Sequence, residues 1–266
     1  MPTATLEQIL KMTRDRVAAL QGHTGDLARR AAGAAPPRPF LPVPLGPTVG
    51  VVAEIKRRSP SQGSIRSDLD PVSHARAYAR GGAVAVSVLT DEAHFGGSLD
   101  DLSQVAAAVS LPVLRKDFII DETQLLEARG AGASAVLLIV RVLPPDRLSA
   151  LAAAAARYQL ATLVEVHSAG ELEAALAVRP AAVGVNARDL TTFKVDLRAA
   201  EAVVARVPPE IPVVAESGIE DRKDVERLAA AGADFVLVGT SLARRSDPEA
   251  AVRALMGVQR HPRGSS

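Results

Sequence analysis

The stretch GGAVAVSVL (81–89) contains the unit on which this chain is built. Glycine ends a helix, a short turn follows, and an apolar, β-branched run then forms a strand. The same arrangement returns in AGASAVLLIV (131–140) and AGADFVLVG (231–239), which indicates a weak internal repeat. A repeated helix, turn and strand predicts an α/β protein whose successive strands run parallel.

Eight apolar runs of this kind predict eight strands. They are 49–56, 83–89, 112–118, 135–140, 161–166, 182–186, 212–217 and 235–240. Most are apolar throughout, which is typical of parallel strands covered on both faces. Eight near-equal units, with helical stretches such as ELEAALAV (171–178) between them, predict a single (β/α)8 TIM barrel. A doubly wound open sheet is the alternative, but no GxGxxG follows the first strand.

The barrel is expected to span residues 48–258. Residues 1–47 are interpreted as an N-terminal helical extension, amphipathic over 5–31, with a proline-rich connection over 34–47, packed on the barrel. A separate tail and linker is the alternative. Residues 259–266 are predicted to be frayed.

Composition excludes several classes of function. The chain has 266 residues, a net charge of +1, 3% aromatic residues and no tryptophan, so we expect no nucleic-acid partner and no membrane binding. No apolar run reaches the roughly 18 residues of a membrane helix, and the start has no signal layout, so a mature protein is expected. The absence of cysteine excludes disulfides and thiol catalysis, and is consistent with a cytoplasmic location.

The choice between lysine and arginine is uneven. Of the 31 basic residues only five are lysine, and two of these, Lys56 and Lys116, fall at strand ends. Lysine can give up a proton in a protein, whereas arginine effectively cannot. The two lysines are therefore candidates for proton transfer, with chance codon usage as the alternative.

Polar side chains, accompanied by one phenylalanine, collect at one end of the predicted barrel, where the active site of such barrels lies. They are Glu54 and Lys56 after the first strand, Lys116 and Phe118 after the third, Glu165 in the fifth, Asn186 and Arg188 after the sixth, Glu216 and Ser217 after the seventh, and Thr240 and Ser241 after the eighth. Each alone could be a rim ion pair or a solvated turn. Six strands that place such groups at one end indicate a common site.

The last two strand ends predict a phosphate site. Ser217-Gly218 and Gly239-Thr240 would let backbone N–H groups approach an anion, beside the N-terminus of a short helix. Ser59 and Ser61, after the first strand, could add hydroxyl donors. Two left-handed turns are the alternative interpretation.

Six long motifs resemble the indole-3-glycerol phosphate synthase family over about residues 48–255. They are EIKRRSPSQG (54–63), SVLTDEAHFGGSLDDL (87–102), LPVLRKDFIIDETQLLEARGAGASAV (111–136), LVEVHSAGEL (163–172), VGVNARDLTTFKVDL (183–197) and VVAESGI (213–219). The resemblance implies a carboxy-lyase of tryptophan biosynthesis, without metal or organic cofactor and monomeric. Its small phosphorylated substrate would be 1-(2-carboxyphenylamino)-1-deoxyribulose 5-phosphate, which is closed to indole-3-glycerol phosphate with loss of CO2 and water.

The resemblance also implies roles for individual residues. Lys116 would be the general acid, with a pKa that burial or neighbouring cations lower toward neutrality. Lys56 would lie near the substrate carboxylate and is a second candidate acid, and Glu165 would stabilise positive charge on the anilinium nitrogen or accept a proton. Glu54 would hold the lysines. The binding residues implied are Asn186, Arg188 on the carboxylate, Phe118 against the aromatic ring, and Ser59, Ser217, Gly218, Gly239 and Thr240 on the phosphate, with Leu137 and Leu237 as weaker candidates for the wall.

Three positions depart from the family pattern, and at one of them Thr240 replaces a common glutamate or serine but keeps its backbone N–H available. Gln62 stands where the family often has lysine, which we expect to weaken substrate binding or loop closure. Ala187 stands where a second asparagine is common, and strand alternation should point it away from Asn186. A phosphoribosylanthranilate isomerase or a non-catalytic phosphate-binding barrel is the competing interpretation, but neither needs two lysines and two glutamates together.

Overall fold

Eight parallel strands close into a barrel in the computed structural model, which describes residues 5–41 and 45–264. The strands are β1 (Gly50–Ile55), β2 (Ala85–Leu89), β3 (Val113–Lys116), β4 (Ala135–Ile139), β5 (Ala161–Val166), β6 (Ala182–Asn186), β7 (Val213–Glu216) and β8 (Phe235–Val238). Each strand pairs with the next, and β8 closes on β1. The predicted (β/α)8 barrel is confirmed, and every strand lies within its predicted range.

Within the described residues, two helices precede the first strand, two follow the last, and the others lie in the connections between strands. The helices are α1 (Leu6–Leu20), α2 (Thr24–Gly33), α3 (Pro71–Gly81), α4 (Glu92–Phe95), α5 (Leu99–Ala108), α6 (Glu122–Gly130), α7 (Pro145–Arg157), α8 (Leu172–Ala177), α9 (Leu197–Val204), α10 (Arg222–Ala230), α11 (Thr240–Ala243) and α12 (Pro248–Leu255). Asp70, Asp121 and Asp221 cap three of them by accepting from backbone N–H groups of the first turn. Across the described ranges, none of these helices has the length and apolarity needed to cross a membrane.

Side-chain alternation along the strands produces two apolar layers. Val51, Ala53 and their equivalents point outward and pack under the helices. Val52, Leu114 and Leu163 point inward and fill the barrel. Continuing the inward positions toward the C-terminal ends leads to charged residues instead of apolar ones, so the site begins where the barrel core stops.

The N-terminal extension is helical, as expected. Thr5 and Gln8 form a capping box at the start of α1, whose buried positions Ile9, Thr13 and Val17 follow helical spacing. Arg16 on this helix donates to both carboxylate oxygens of Asp117, at 2.8 and 2.9 Å. Through this ion pair α1 is attached beside the mouth of the barrel. Residues 1–4 and 42–44 of the predicted extension lie outside the described residues.

The C-terminal segment differs from the prediction of a frayed tail over 259–266. Gln259 bridges to Thr48, and Arg260 donates to Asp234 at 2.5 Å. Arg263 is 9% exposed and donates to the other oxygen of Asp234 at 2.9 Å. The prediction is wrong for 259–264, because these arginines find a buried carboxylate 26 and 29 residues earlier. Residues 265 and 266 lie outside the described residues.

Candidate active site

All twelve predicted site residues line one cavity at the C-terminal ends of the strands. They are Glu54, Lys56, Ser59, Lys116, Phe118, Glu165, Asn186, Arg188, Ser217, Gly218, Gly239 and Thr240. The register of the parallel strands explains why they meet. It pairs Leu89 with Lys116, Ile139 with Glu165 and Asn186 with Glu216, which places these strand ends at one height. Leu137 and Leu237 also line the cavity, as strand alternation predicts.

Lys116 lies between two buried glutamates from different strands. Its Nζ is 2.9 Å from Glu165 Oε2 and 3.1 Å from Glu216 Oε2. The side chains of both glutamates are at most 2% exposed, and that of the lysine is 12% exposed. One cation therefore bridges two carboxylates in a site largely closed to water, where charge interactions are strong.

The charges around Lys116 overturn the expected direction of its pKa shift. Burial lowers the pKa of Lys116, but Glu165, Glu216 and Glu54 together raise it well above its usual range. The prediction of a lowered pKa is therefore wrong for the ligand-free site. Lys116 holds its proton firmly until the charges in the site change.

The two glutamates that contact Lys116 are pushed in opposite directions. Burial raises the pKa of Glu165, but Lys116 and His167 lower it to well below its usual range. Burial, together with the charge of Glu165, raises the pKa of Glu216 despite the nearby lysine. Two carboxylates that share one cation behave in this way, because ionising the second one places two like charges side by side. Glu165 is thus the carboxylate that stays ionised, and Glu216 is the one that holds a proton more readily.

Two glycines make room for these carboxylates. A Cβ added at Gly184 would lie 2.3 Å from Glu216 Oε1, and one added at Gly239 would lie 2.4 Å from Glu54 Oε1. Neither glycine has a φ that requires glycine, so the requirement is for space alone. Gly239, predicted as a phosphate contact, therefore also fixes the position of Glu54.

Glu54 and Lys56 lie on the same face, as their spacing predicts, and Lys56 Nζ is 2.7 Å from Glu54 Oε1. The neighbouring Arg57 points the other way and pairs with Asp101 at 2.5 Å. Arg57 thus ties the end of β1 to the start of α5, outside the cavity.

Arg188 enters the cavity from the loop after β6. Its backbone N–H donates to Asn186 Oδ1 at 2.9 Å, and its guanidinium donates to the carbonyl of Phe193 at 3.0 Å. Within residues 5–41 and 45–264, no carboxylate lies within ion-pair distance of this guanidinium. Most of its donor groups can therefore receive an anionic ligand. The adjacent Ala187 is buried in the outer apolar layer, as predicted.

Backbone amides gather at the ends of β7 and β8. Ser217 and Gly218 both have left-handed φ values, 68° and 76°, and a non-glycine residue rarely adopts this conformation. Thr240 begins the short helix α11. In the described part of the chain, no oxygen accepts a hydrogen bond from the N–H of Gly218, Gly239 or Thr240. Three unsatisfied donors on one wall suit an anion with several oxygens.

The loop after β1 bends over the cavity as a small hairpin of Arg58–Ser59 with Gly63–Ser64. Gln62 Oε1 accepts from the guanidinium of Arg244 at 2.7 Å, and Arg188 reaches Ser61 Oγ at 3.5 Å. The loop is therefore held from two sides. The side-chain amide of Gln62 thus pairs with the Arg244 guanidinium, whereas a lysine at position 62 would be repelled by it.

Several cavity residues were not indicated by the strand-end pattern. Leu6 and Ile9 come from α1, Asp91 and Phe95 from the start and end of α4, and Phe193 from the loop after β6. They lie outside the strands, where strand periodicity does not give the direction of a side chain. Among the described residues, no group of three or more histidine, aspartate or glutamate side chains is placed to hold a metal ion.

His167 was missed although a signal was available. It follows Glu165 by two residues, so the alternation that points Glu165 inward applies to it as well. Its Nε2 lies 3.3 Å from Glu165 Oε1 and its Nδ1 lies 3.6 Å from Glu171 Oε2. At these distances a protonated ring forms an ion pair with both carboxylates, although neither contact has the geometry of a hydrogen bond.

Comparison with known proteins gives a consistent result. A family model described as "Indole-3-glycerol phosphate synthase" matches residues 6–255. Curated proteins named indole-3-glycerol phosphate synthase are similar to the chain: one from Mycobacterium ulcerans is 43% identical over 98% of this chain and 97% of its own length. One from Dehalococcoides mccartyi is 47% identical over 82% of this chain and 87% of its own length.

A solved structure gives support for the fold alone. The thiamine phosphate pyrophosphorylase from Pyrococcus furiosus superimposes with a TM-score of 0.58 at 20% identity, covering 78% of this chain and 93% of that one. At that identity the similarity concerns architecture and not activity.

Proposed function

Because this chain belongs to the indole-3-glycerol phosphate synthase family, whose members are carboxy-lyases of tryptophan biosynthesis, we propose that it converts 1-(2-carboxyphenylamino)-1-deoxyribulose 5-phosphate into indole-3-glycerol phosphate. The observation that carries the assignment of roles is the contact of Lys116 with both Glu165 and Glu216 in a cavity that also holds the unsatisfied amides of β7 and β8. One end of the cavity suits a phosphate, and the other end can move protons.

The substrate would lie across the barrel mouth. Its phosphate accepts hydrogen bonds from the amides of Gly218, Gly239 and Thr240 and from the Ser217 and Ser59 hydroxyls. Its carboxylate pairs with Arg188 and Lys56, and the planar guanidinium suits a carboxylate best. Its aromatic ring packs between Phe118 and the apolar side chains of the barrel, including Leu137.

Ring closure requires the aromatic carbon that bears the carboxylate to attack the sugar carbonyl. A carbon–carbon bond forms, and the carbonyl π electrons move onto oxygen, where Lys116 delivers a proton. A lysine whose pKa is raised is a poor acid toward a neutral ketone, but the alkoxide that develops is basic enough to take its proton. Lys116 therefore acts first by charge and hydrogen bonding, and then by transfer. Asn186 holds the reacting oxygen by a hydrogen bond.

Decarboxylation follows because ring attack leaves positive charge on the nitrogen. The bond to the carboxylate breaks, its electrons neutralise that charge, and CO2 leaves. Glu165, kept ionised by its neighbours, stabilises the positive charge while it lasts.

Loss of water completes the indole ring. The nitrogen lone pair expels the hydroxyl group, which takes a proton from Lys56 and leaves as water. Glu165 then removes the proton from the adjacent carbon, and Glu54 holds Lys56 in place at 2.7 Å. The whole conversion consumes one proton, which solvent returns to the lysines.

The test is incubation with the carboxyphenylamino deoxyribulose phosphate, following indole fluorescence and released CO2 in parallel. Equal amounts of both products are expected. Folded protein that yields neither would overturn the proposal, and binding of the substrate without turnover would favour a non-catalytic phosphate-binding barrel.

A further inference from the structure

His167 lies at the centre of a row of alternating charges that leads away from the reacting groups. Lys116 contacts Glu165, Glu165 contacts His167, and His167 contacts Glu171. The row continues outward, because Arg141 pairs with Glu171 at 3.0 Å and with Asp189 at 2.7 Å. Asp189 follows Arg188 in the loop after β6, so the row ends at the protein surface.

The two oxygens of Glu165 have separate partners. Oε2 receives Lys116 and Oε1 faces His167, so the carboxylate is held from both sides. The imidazole side chain is 2% exposed and does not line the cavity, which excludes direct contact with the substrate. Glu171 faces the other ring nitrogen, and its Oε2 also accepts a hydrogen bond from the backbone N–H of His167 at 2.7 Å.

We infer that His167 is a positioning residue, which acts as an imidazolium to fix the orientation and the negative charge of Glu165 while Lys116 is engaged with the substrate. Without it, movement of Lys116 toward the substrate oxygen would leave Glu165 buried without a cation. This inference rests on the proposed function for the role of Glu165, and on distances alone for the row of charges.

The charged groups that face the ring support the imidazolium form. Burial lowers the pKa of His167 and Arg141 also opposes protonation, but Glu165 and Glu171 outweigh them and raise the pKa to about 9. The ring is thus charged at neutral pH. Above pH 9 it becomes neutral, and its hold on Glu165 weakens.

The first test is His167→Gln, which keeps a polar side chain and removes the charge. A charged contact of this kind corresponds to about 10- to 100-fold in rate, so we expect kcat to fall by that factor. KM should change little, because the ring does not contact the cavity. The acidic limb of the kcat profile should move to higher pH, because Glu165 becomes easier to protonate.

The second variant, Glu171→Gln, keeps an acceptor for the backbone N–H of His167 and removes the negative charge that faces both the ring and Arg141. The pKa of His167 should fall, so the alkaline limb of kcat should move to lower pH while activity at pH 6 stays close to that of the unaltered enzyme. Glu173→Gln, an exposed change on the same turn, is the matched control and should leave both limbs in place.

Imidazole NMR separates this inference from the proposed function, because it needs no turnover. One of the five histidines should remain protonated up to about pH 9, its signal should be absent in His167→Gln, and it should titrate lower in Glu171→Gln. If the unaltered enzyme does not turn over but the titration is as expected, the proposed function fails and the row of charges stands. The inference is overturned if His167→Gln leaves kcat and both limbs of its pH profile unchanged. It is also overturned if kcat and KM both change in His167→Gln while neither limb of the pH profile shifts.

Discussion

Replacing Lys116 by methionine is the most direct perturbation of the site, because it removes the charge and keeps most of the volume. The proton that the lysine gives to the carbonyl oxygen is then missing. General acid catalysis contributes about 10²- to 10⁴-fold, which equals about 3 to 5 kcal/mol of activation free energy. We expect kcat to fall by that factor while the substrate still binds through Arg188 and the phosphate site.

The same change has a cost in stability that the sequence did not reveal. Without Lys116, Glu165 loses its ion pair at 2.9 Å and remains buried. Leaving one member of a buried pair costs about 3–5 kcal/mol, unless the carboxyl group takes up a proton. In the unaltered protein the pKa of Glu165 is lowered, so its ionisation stabilises the fold above the unfolded pKa of about 4.3. The variant loses this contribution, and burial without the Lys116 cation raises the pKa of Glu165, so the folded variant becomes less stable as rising pH forces the buried carboxyl group to ionise. Its free energy of unfolding should therefore be reduced more at pH 8 than at pH 5.

The assay measures single-turnover formation of indole fluorescence, with substrate affinity and urea unfolding followed at pH 5 and pH 8. Lys223→Met is the matched control, because Lys223 is exposed on α10 and does not line the cavity. It should retain normal kcat and stability. A Lys116→Met enzyme within threefold of normal kcat would falsify the assignment of the acid, and equal destabilisation at both pH values would refute the account of the buried charges.

Three further changes test the surroundings of the site. Arg244→Ala removes the donor to Gln62; both residues are exposed, so we expect less than about 1 kcal/mol of lost stability but faster amide exchange over 60–63 by mass spectrometry. Gly184→Ala places a methyl group 2.3 Å from Glu216 Oε1, so we expect it to lower the free energy of unfolding by about 1–3 kcal/mol and to remove most of kcat. The control Gly33→Ala, whose methyl group meets nothing within 4 Å, should leave stability unchanged or increased. Equal shifts of the melting temperature in the two variants would contradict this. Arg16→Ala removes both contacts to Asp117. Burial raises the pKa of Asp117, but Arg115 and Arg16 lower it below its usual range, so the variant's loss of stability should be full at pH 7 and shrink as the pH falls below about 4. A loss of stability that stays constant across that range would count against this account.

The fold could be predicted because its determinants are local and repeated. Most strands are largely apolar runs, and three of them follow a glycine in the left-handed conformation, Gly82, Gly132 and Gly232, with φ values of 98°, 89° and 99°. Alternation then assigned Glu54, Lys116 and Glu165 to the interior without any knowledge of their partners. The C-terminal arginines could not be placed in the same way, because Asp234, which binds them, is neither adjacent nor in register with them in the sequence.

The protonation of the site residues was harder to predict than which residues form the site. The sequence shows that Lys116 is buried, and burial alone predicts a lowered pKa. The direction reverses because three glutamates from β1, β5 and β7 converge on one ammonium group, and a one-dimensional pattern does not report how close they come. The division of roles between Glu165 and Glu216 likewise depends on distances across the barrel.

The neighbouring residues Arg115 and Lys116 show why this arginine-rich chain keeps a lysine at the centre of the site. Arg115 points outward, is 2% exposed, and uses its donors on Thr90, Asp117, Glu127 and the carbonyl of Gln124. Such fixed, multiple contacts are what a guanidinium provides best. Lys116 points inward between two carboxylates, where a guanidinium fork could also pair with both. It could not, however, release a proton to a developing alkoxide, because arginine stays charged in proteins. Charge pairing with the two carboxylates could come from either cation, so it is the proposed proton transfer that would require lysine at position 116.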